Sequence, residues 1–385
     1  MKYLPYAILA ASFACCTYSY AEDTGVFSKG LTGQTTFDRI WSAGTLYKDN
    51  SNPLLEELDF FGRLQMDSYN VDSHKGNNDF TEIRRFRLGE DAFFFDRHAE
   101  IKAELDTNLS AYGKDSVFYN RMTSLYLNLH ADDTFNLKIG KQDPHFGYDR
   151  EQSDILQPFF ERSFFDDNVF NQTGNDFQSA VTAYGKIDNF GYLVSAISND
   201  VDKEFGQFRG GQSYLAEVNY DFKTALNADK ALWAFDYMHM EINSRSDVFN
   251  TMHNAAATYF DYKTGPYGLI GQLGYGDGIS KKGDFYQILV MPTYDITPKL
   301  QALFRYQYGH GSEPNTIATI NREQATVGKY TGDQYNAAYL GVNYLVYGSK
   351  MRLMAGTEYF DLSGGTGAKA NNSGWTTTVG FRIFW

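Results

Sequence analysis

The 385-residue sequence predicts an all-β fold, a closed transmembrane antiparallel β-barrel of about 16 strands with short periplasmic turns and long extracellular loops. Three observations predict it. Segments of roughly ten residues alternate apolar and polar side chains with period two. The gaps between these segments alternate short and long. The chain ends in an aromatic segment, GWTTTVGFRIFW. Aromatic residues make up 17% of the chain, yet no apolar run after residue 16 approaches the roughly 18–20 residues of a transmembrane helix.

At the N-terminus, Lys2, the apolar stretch LPYAILAASFACC (4–16) and Ser19-Tyr20-Ala21 predict a signal peptide over 1–21, cleaved before Glu22. A lipoprotein would need an aliphatic residue three positions before Cys15 or Cys16, where Ser12 and Phe13 stand. Cleavage removes both cysteines, which excludes disulfides and thiolate metal sites from the mature chain. Residues 22–57 read as an N-terminal periplasmic or lumen-tucked segment, with Phe37, Ile40, Trp41 and Gly44 at helical spacing. Residues 58–385 read as the outer-membrane barrel.

Strands are expected near 58–69, 82–95, 98–108, 118–130, 134–141, 177–187, 190–199, 212–222, 231–241, 253–262, 267–275, 284–294, 299–309, 333–346, 350–361 and 374–385. In one of them Ala99, Ile101, Ala103 and Leu105 alternate with Glu100, Lys102, Glu104 and Asp106, giving an oily face and a charged one. Long gaps fall near 70–81, 109–117, 142–176, 200–211, 242–252, 276–283, 310–332 and 362–373. A soluble sandwich also alternates along its strands but has no reason for alternating gap lengths. The Gly-rich run 271–278 reads as a flexible turn. Phe93–Phe95, Tyr192, Tyr259-Phe260 and Tyr359-Phe360 are expected in the interfacial girdles. In the last strand Trp385, Ile383, Phe381, Val379, Thr377 and Trp375 share one face, so Phe381, Ile383 and Trp385 are the expected assembly signal.

Several stretches resemble the phosphate-selective porin O and P family of Gram-negative outer membranes: FFGRLQMDSY (60–69), IRRFRLGEDAFFFD (83–96), AEIKAELD (99–106), LKIGKQDPHFGYDREQSD (137–154), FFERSFFDD (159–167), MPTYDITPKLQALFRYQYG (291–309) and YLGVNYLVYGSKMRLMAGTEYF (339–360). The resemblance implies a sixteen-stranded channel, homotrimeric, passing small anions or hydrophilic solutes. It places the chain among outer-membrane lipid, lipopolysaccharide and the outer-membrane assembly machinery. Asp143–Gly147 departs from the family's plainer Pro-Phe-Gly turn. Alternatives within reach of the sequence are a phosphate- or polyphosphate-specific anion channel and a non-transport envelope barrel, an adhesin or anchor.

Chemistry of other kinds is missing from the sequence pattern. Seven histidines are scattered without ligand spacing, so neither metal nor cofactor is expected. His310-Gly311-Ser312 lacks the acidic partner and nucleophile motif of a hydrolase, and no enzyme is expected. A formal charge of −13 argues against nucleic acid. Function then lies in the pore. Alternation makes Arg63, Arg85, Arg87, Lys102, Lys138, Arg305, Arg352 and Arg382 the basic pore-lining candidates, among inward acids Asp67, Asp91, Glu100, Glu104, Asp106, Glu217 and Glu358. The third long loop, 142–176, is too rich in phenylalanine for water and is expected to fold inward as a constriction. Its charged candidates are His145, Arg150, Glu151, Asp154, Glu161, Arg162, Asp166 and Asp167. An acidic loop would thus face a basic wall, giving a weak anion preference. The loop at Gly311–Thr331 is expected to lie exposed outside the cell.

Overall fold

The computed structural model describes residues 35–109, 118–170, 177–200, 204–205, 208–246, 252–279 and 282–385. The expected signal peptide and residues 22–34 lie outside the described residues. In chain order the elements are α1 (Thr36–Ser42), β1 (Thr45–Lys48), β2 (Glu57–Ser73), β3 (Gly76–Phe94), β4 (Ala99–Thr107), β5 (Tyr119–His130) and β6 (Asn136–Gln142). Two short helices, α2 (Tyr148–Glu151) and α3 (Phe164–Val169), follow before β7 (Gln178–Ile187), β8 (Phe190–Ser198) and β9 (Gln212–Asp221). Then come α4 (Lys223–Leu226), β10 (Lys230–Met240), β11 (Met252–Thr264), β12 (Tyr267–Gly278), β13 (Phe285–Thr297) and β14 (Leu300–Gly311). The chain ends with β15 (Ile317–Ala318), α5 (Asn321–Val327), β16 (Thr331–Gly332), β17 (Gln334–Tyr347), β18 (Met351–Ser363) and β19 (Asn372–Phe384).

Sixteen of these strands, β2–β14 and β17–β19, form one antiparallel barrel. Neighbours in sequence pair throughout, and β19 closes against β2 with Thr378 opposite Tyr69 and Phe384 opposite Arg63. No barrel strand is left with an open edge, as lipid requires. Alternation sorts the two faces. Leu127, Ile139, Val181, Val194, Ile288 and Leu340 are exposed on the outside. Outward Phe135, Phe190, Tyr220, Tyr267, Tyr294 and Tyr344 ring the end bearing short turns, and Tyr214, Tyr286, Tyr359 and Trp375 lie toward the other end. Of the expected girdle residues, Phe93, Tyr259 and Phe360 instead point inward and are buried. Strand geometry gives lipid only one of two adjacent aromatics.

Three further expectations are corrected. No long loop spans 70–81, because β2 and β3 run on to a tight hairpin with Ser73 opposite Gly76. The oily alternation fades there because Gly76–Thr81 are exposed on both faces, beyond the lipid. The run 271–278 lies wholly in strand β12, which continues through 276–278, where the sequence pattern predicts a gap. The segment Gly311–Thr331 is only partly exposed: Ser312–Pro314 face solvent, but Thr316–Ile320, Arg322 and Glu323 are buried inside the barrel mouth.

At the short-turn end α1 starts on a capping box between Thr35 and Asp38. Phe37 and Trp41 pack on Tyr347, with ring centroids 5.3 and 4.9 Å away. The Trp41 indole N–H donates to the Phe384 carbonyl. Trp385 pairs its backbone with Gly62, N–H to O 3.0 and 3.1 Å in the two directions. The C-terminal residues thus hold the seam of the barrel. Deleting Phe384-Trp385 should leave unfolded protein in the periplasm, measured by fractionation; normal yield of the truncated chain in the outer membrane would overturn that role.

Candidate channel constriction

The loop after β6 turns into the lumen at Gly147, whose φ of 68° suits glycine. Its backbone is received by wall side chains. The Gly147 N–H donates to Asp236 Oδ2 at 2.7 Å and the Tyr148 N–H to Gln272 Oε1 at 2.7 Å. Arg352 donates to the Gln157 carbonyl (2.6 Å), Asn343 to that of Pro158 (3.0 Å) and Arg305 to that of Glu161 (2.7 Å). The Phe164 N–H donates to Gln307 at 3.0 Å. Aromatic contacts follow the same wall: Tyr148 on Tyr259, Phe159 on Tyr339, Phe164 on Tyr335 and Phe165 on Phe285. Inward glycines make pits for these rings. A Cβ at Gly274 would lie 2.5 Å from Phe165, and one at Gly380 2.6 Å from Phe160.

All these wall contacts lie on β10, β11–β14 and β17–β19, so the loop covers one side of the lumen. The 312–333 segment docks against it. Asn168 exchanges hydrogen bonds with the Ala318 backbone (3.0 and 3.1 Å), and the Asn321 N–H donates to Asp167 at 2.8 Å. Space remains on the other side. A cavity of about 160 Å³ lies between Arg63, Arg85, Arg87, Lys102 and Lys138 on the wall and Asp143, His145, Arg150, Glu151, Asp154 and Arg162 on the loop. A second cavity, about 90 Å³, shares Lys138, His145 and Glu151 with it and reaches Lys186 and Asp221 at the short-turn end.

The acids of the loop touch the basic wall directly. Asp154 pairs with Arg63, with Arg85 at 3.2 Å and with Arg87 at 3.8 Å. Glu161 pairs with Arg84 at 2.8 Å and Arg322 at 2.6 Å. Asp67 receives Arg322 at 2.5 Å and also Arg382. Arg150 sits between Asp143 and Asp166, 2.5 Å from each, and Arg162 lies 3.1 Å from Asp143. Burial alone would raise the Asp154 and Glu161 carboxyls. Arg63, Arg85 and Arg87 around the first, and Arg84 and Arg322 around the second, hold both well below the ordinary carboxylate range.

The sequence-derived candidates therefore divide. Arg63, Arg85, Arg87, Lys102 and Lys138 line the open cavity. Arg305, Arg352 and Arg382 face inward but lie beneath the loop and are buried, so they anchor it and do not line the passage. Glu161, Asp166 and Asp167 likewise turn away from the cavity, toward Arg84, Arg150 and the 312–333 segment. Sequence alternation missed Arg84 and Arg322. Arg84 falls at a register shift between Gln65 and Met66, which sends two consecutive arginines inward. The histidine expectation also changes: the fold gathers one imidazole, His145, with Glu151 and Glu217, their ligand atoms all within 4.8 Å of one another.

Two outcomes follow for the loop. Gly274→Leu should expel Phe165, raise single-channel conductance and cost roughly 1–3 kcal/mol in urea unfolding; unchanged conductance would mean the loop does not depend on the pit. A carboxyl depressed in the folded state contributes stability above its unfolded pKa and loses it only as pH falls through the folded pKa. A fluorophore at Ser153 should therefore stay immobile down to about pH 4, where free carboxylates titrate; release at that pH would contradict the pairing of Asp154 and Glu161.

Comparison with known proteins agrees with this architecture. Residues 60–228 match the family model "phosphate-selective porin O and P". No curated protein matches the sequence. Among solved structures, the outer membrane channel DcaP of Acinetobacter baumannii superposes with a TM-score of 0.56 at 13% identity, covering 88% of this chain and 99% of that one. Salmonella typhi OmpF in complex with daunomycin gives 0.57 at 11%, covering 89% and 100%. A trimer form of OmpT, an outer membrane protein of Vibrio cholerae, gives 0.51 at 15%, covering 85% and 99%. At these identities the structural likeness is one of fold. The matched segment runs from β2 through β9 and contains the Arg-lined wall and the constriction loop, so the part of the chain that builds the candidate constriction is the part similar to the phosphate-selective porin O and P family.

Proposed function

We propose that the chain is a diffusion porin, not an enzyme: a water-filled channel for small hydrophilic solutes with a weak preference for anions. The charge balance around the larger cavity carries this reading. Seven Arg or Lys side chains line it against five Asp or Glu, an excess of two positive charges. A dedicated oxyanion site wants donors free of carboxylates, since charge-assisted hydrogen bonds to the ligand then meet no competitor. Here Arg63 and Arg87 have Glu104 within 3.6 Å, Arg85 has Asp154, and Arg150 and Arg162 share Asp143. Paired guanidiniums bias ion traffic without holding one anion. The outward apolar band sits among lipid and lipopolysaccharide. Likeness to a trimer-forming barrel supports a homotrimer, and Phe381, Ile383 and Trp385 serve as the signal read by the assembly machinery.

Replacing Arg85 and Arg87 by Ala should move the reversal potential toward cation selectivity in a planar bilayer. The shift should shrink in high salt, as the Debye length falls to about 3 Å at 1 M. Block of the wild-type chloride current by micromolar phosphate would overturn this reading in favour of a phosphate- or polyphosphate-specific channel. Absence of any ion current would favour an adhesin or anchor.

A further inference from the structure

We propose that His145, Glu151 and Glu217 bind one divalent transition-metal ion, of which Zn²⁺ is the probe, at the neck where the two cavities meet. His145 Nδ1 lies 3.2 Å from Glu151 Oε2, and all three ligand atoms fall within 4.8 Å. Tetrahedral zinc with bonds near 2.1 Å separates its ligand atoms by about 3.4 Å, so small side-chain rotations close the site.

The charge around the trio is the second observation. Glu217 of β9 stands directly opposite Asp236 of β10, both inward and buried. Like charges in that position are destabilising. Elsewhere on the wall, buried acids meet a cation: Asp67 meets Arg322, Asp91 meets Lys102 at 3.5 Å, and Glu358 meets Arg305 at 2.9 Å. Glu217 and Asp236 have no ion pair among the described residues. Asp236 is 1% exposed, and its Oδ1 has no hydrogen-bond partner among them. A dication supplies the missing positive charge.

The groups behind the trio are already oriented. Asn219 donates to Glu217 Oε1 at 2.7 Å, and the Gly147 N–H fixes the other oxygen of Asp236. Such contacts aim ligands and tune affinity. One imidazole with carboxylates suits zinc and its neighbours, whereas magnesium and calcium favour all-oxygen sites. His145 and Glu151 line both cavities and Glu217 the smaller one, so the ion has an aqueous route in. Three protein ligands leave a coordination position open to the lumen. The binding site stands on geometry alone; its effect on current rests on the porin reading. Occupancy adds two positive charges at the neck and should lower cation flow.

The test uses the full chain folded in detergent and stripped with a chelator. Titration calorimetry should find one Zn²⁺ per chain with a micromolar dissociation constant and no uptake of Mg²⁺ under the same conditions. His145→Asn and Glu217→Gln should each weaken it at least tenfold, with folding checked by heat-modifiable mobility. If either variant does not fold, wild-type protein decides: Zn²⁺ should protect His145 from diethyl pyrocarbonate, mapped by mass spectrometry among the seven histidines. No zinc uptake, equal binding of Mg²⁺, unchanged affinity in both folded variants or an unprotected His145 would overturn the site. Conductance is measured first without metal, so a silent channel counts against the porin reading while the titration still judges the site. In a conducting channel, Zn²⁺ should lower the cation current.

Discussion

A backbone amide inside hydrocarbon has no water to bind, and the whole molecule follows from that constraint. Every N–H and C=O that crosses the membrane must find another strand, so the sheet has to close. Sixteen strands meet this condition once β19 returns to β2. Closure then dictates the rest. Outward residues must be oily, inward ones are released from that demand, and the interior becomes wide enough to need filling. The polar and charged half of each strand is the lining of a space that the outer half has created.

That space is filled unequally. The constriction loop presses its aromatic rings and backbone onto β10–β14 and β17–β19, where arginine, asparagine and glutamine receive its carbonyls and amides. Its polar backbone could not enter an apolar core without such partners. Loop and wall therefore form a core inside the barrel, with Phe164 wholly buried between Tyr335 and Phe285. The arginines that look like channel lining from sequence divide accordingly. Some hold the loop and some face water, and the choice depends on which side of the lumen the loop takes.

Strand count, facing and the aromatic character of the constriction loop were legible because each is a local pattern. Alternation is read within one segment, and six phenylalanines in one loop speak for burial wherever it packs. Arg84 was illegible because a register shift breaks the very periodicity used to assign faces. Arg322 was illegible because nothing local to a loop tells that it will reach Asp67 across the barrel mouth. The role of Gly274 as a pit was illegible, although it falls within the strand expected at 267–275, because a glycine-rich run carries the same composition whether it bends or makes room for a ring. The His145 grouping could not be read at all: Glu217 comes from a different strand, and only barrel curvature and the turn at Gly147 bring it near.

The placement of unmatched charge decides what field a permeating ion feels. On β2 and β3 the arginines meet Asp154, Glu161 and Glu104 in contact, and contact pairs cancel most of each other's potential within a few ångströms. The basic wall is therefore weaker than its residue count suggests. On β9 and β10 the balance is reversed: Glu217 and Asp236 face each other with no ion pair among the described residues, and Glu151 has the His145 imidazole in contact, with Lys138 and Lys230 acting on it from farther off. The passage thus has a basic wall muted by its partners and, across from it, an acidic corner at Glu151 and Glu217. Low-dielectric walls focus the field between the two across the neck. On the porin reading, selectivity depends not only on how many arginines line the barrel but on how fully each is paired, and on what neutralises Glu151 and Glu217 beside His145.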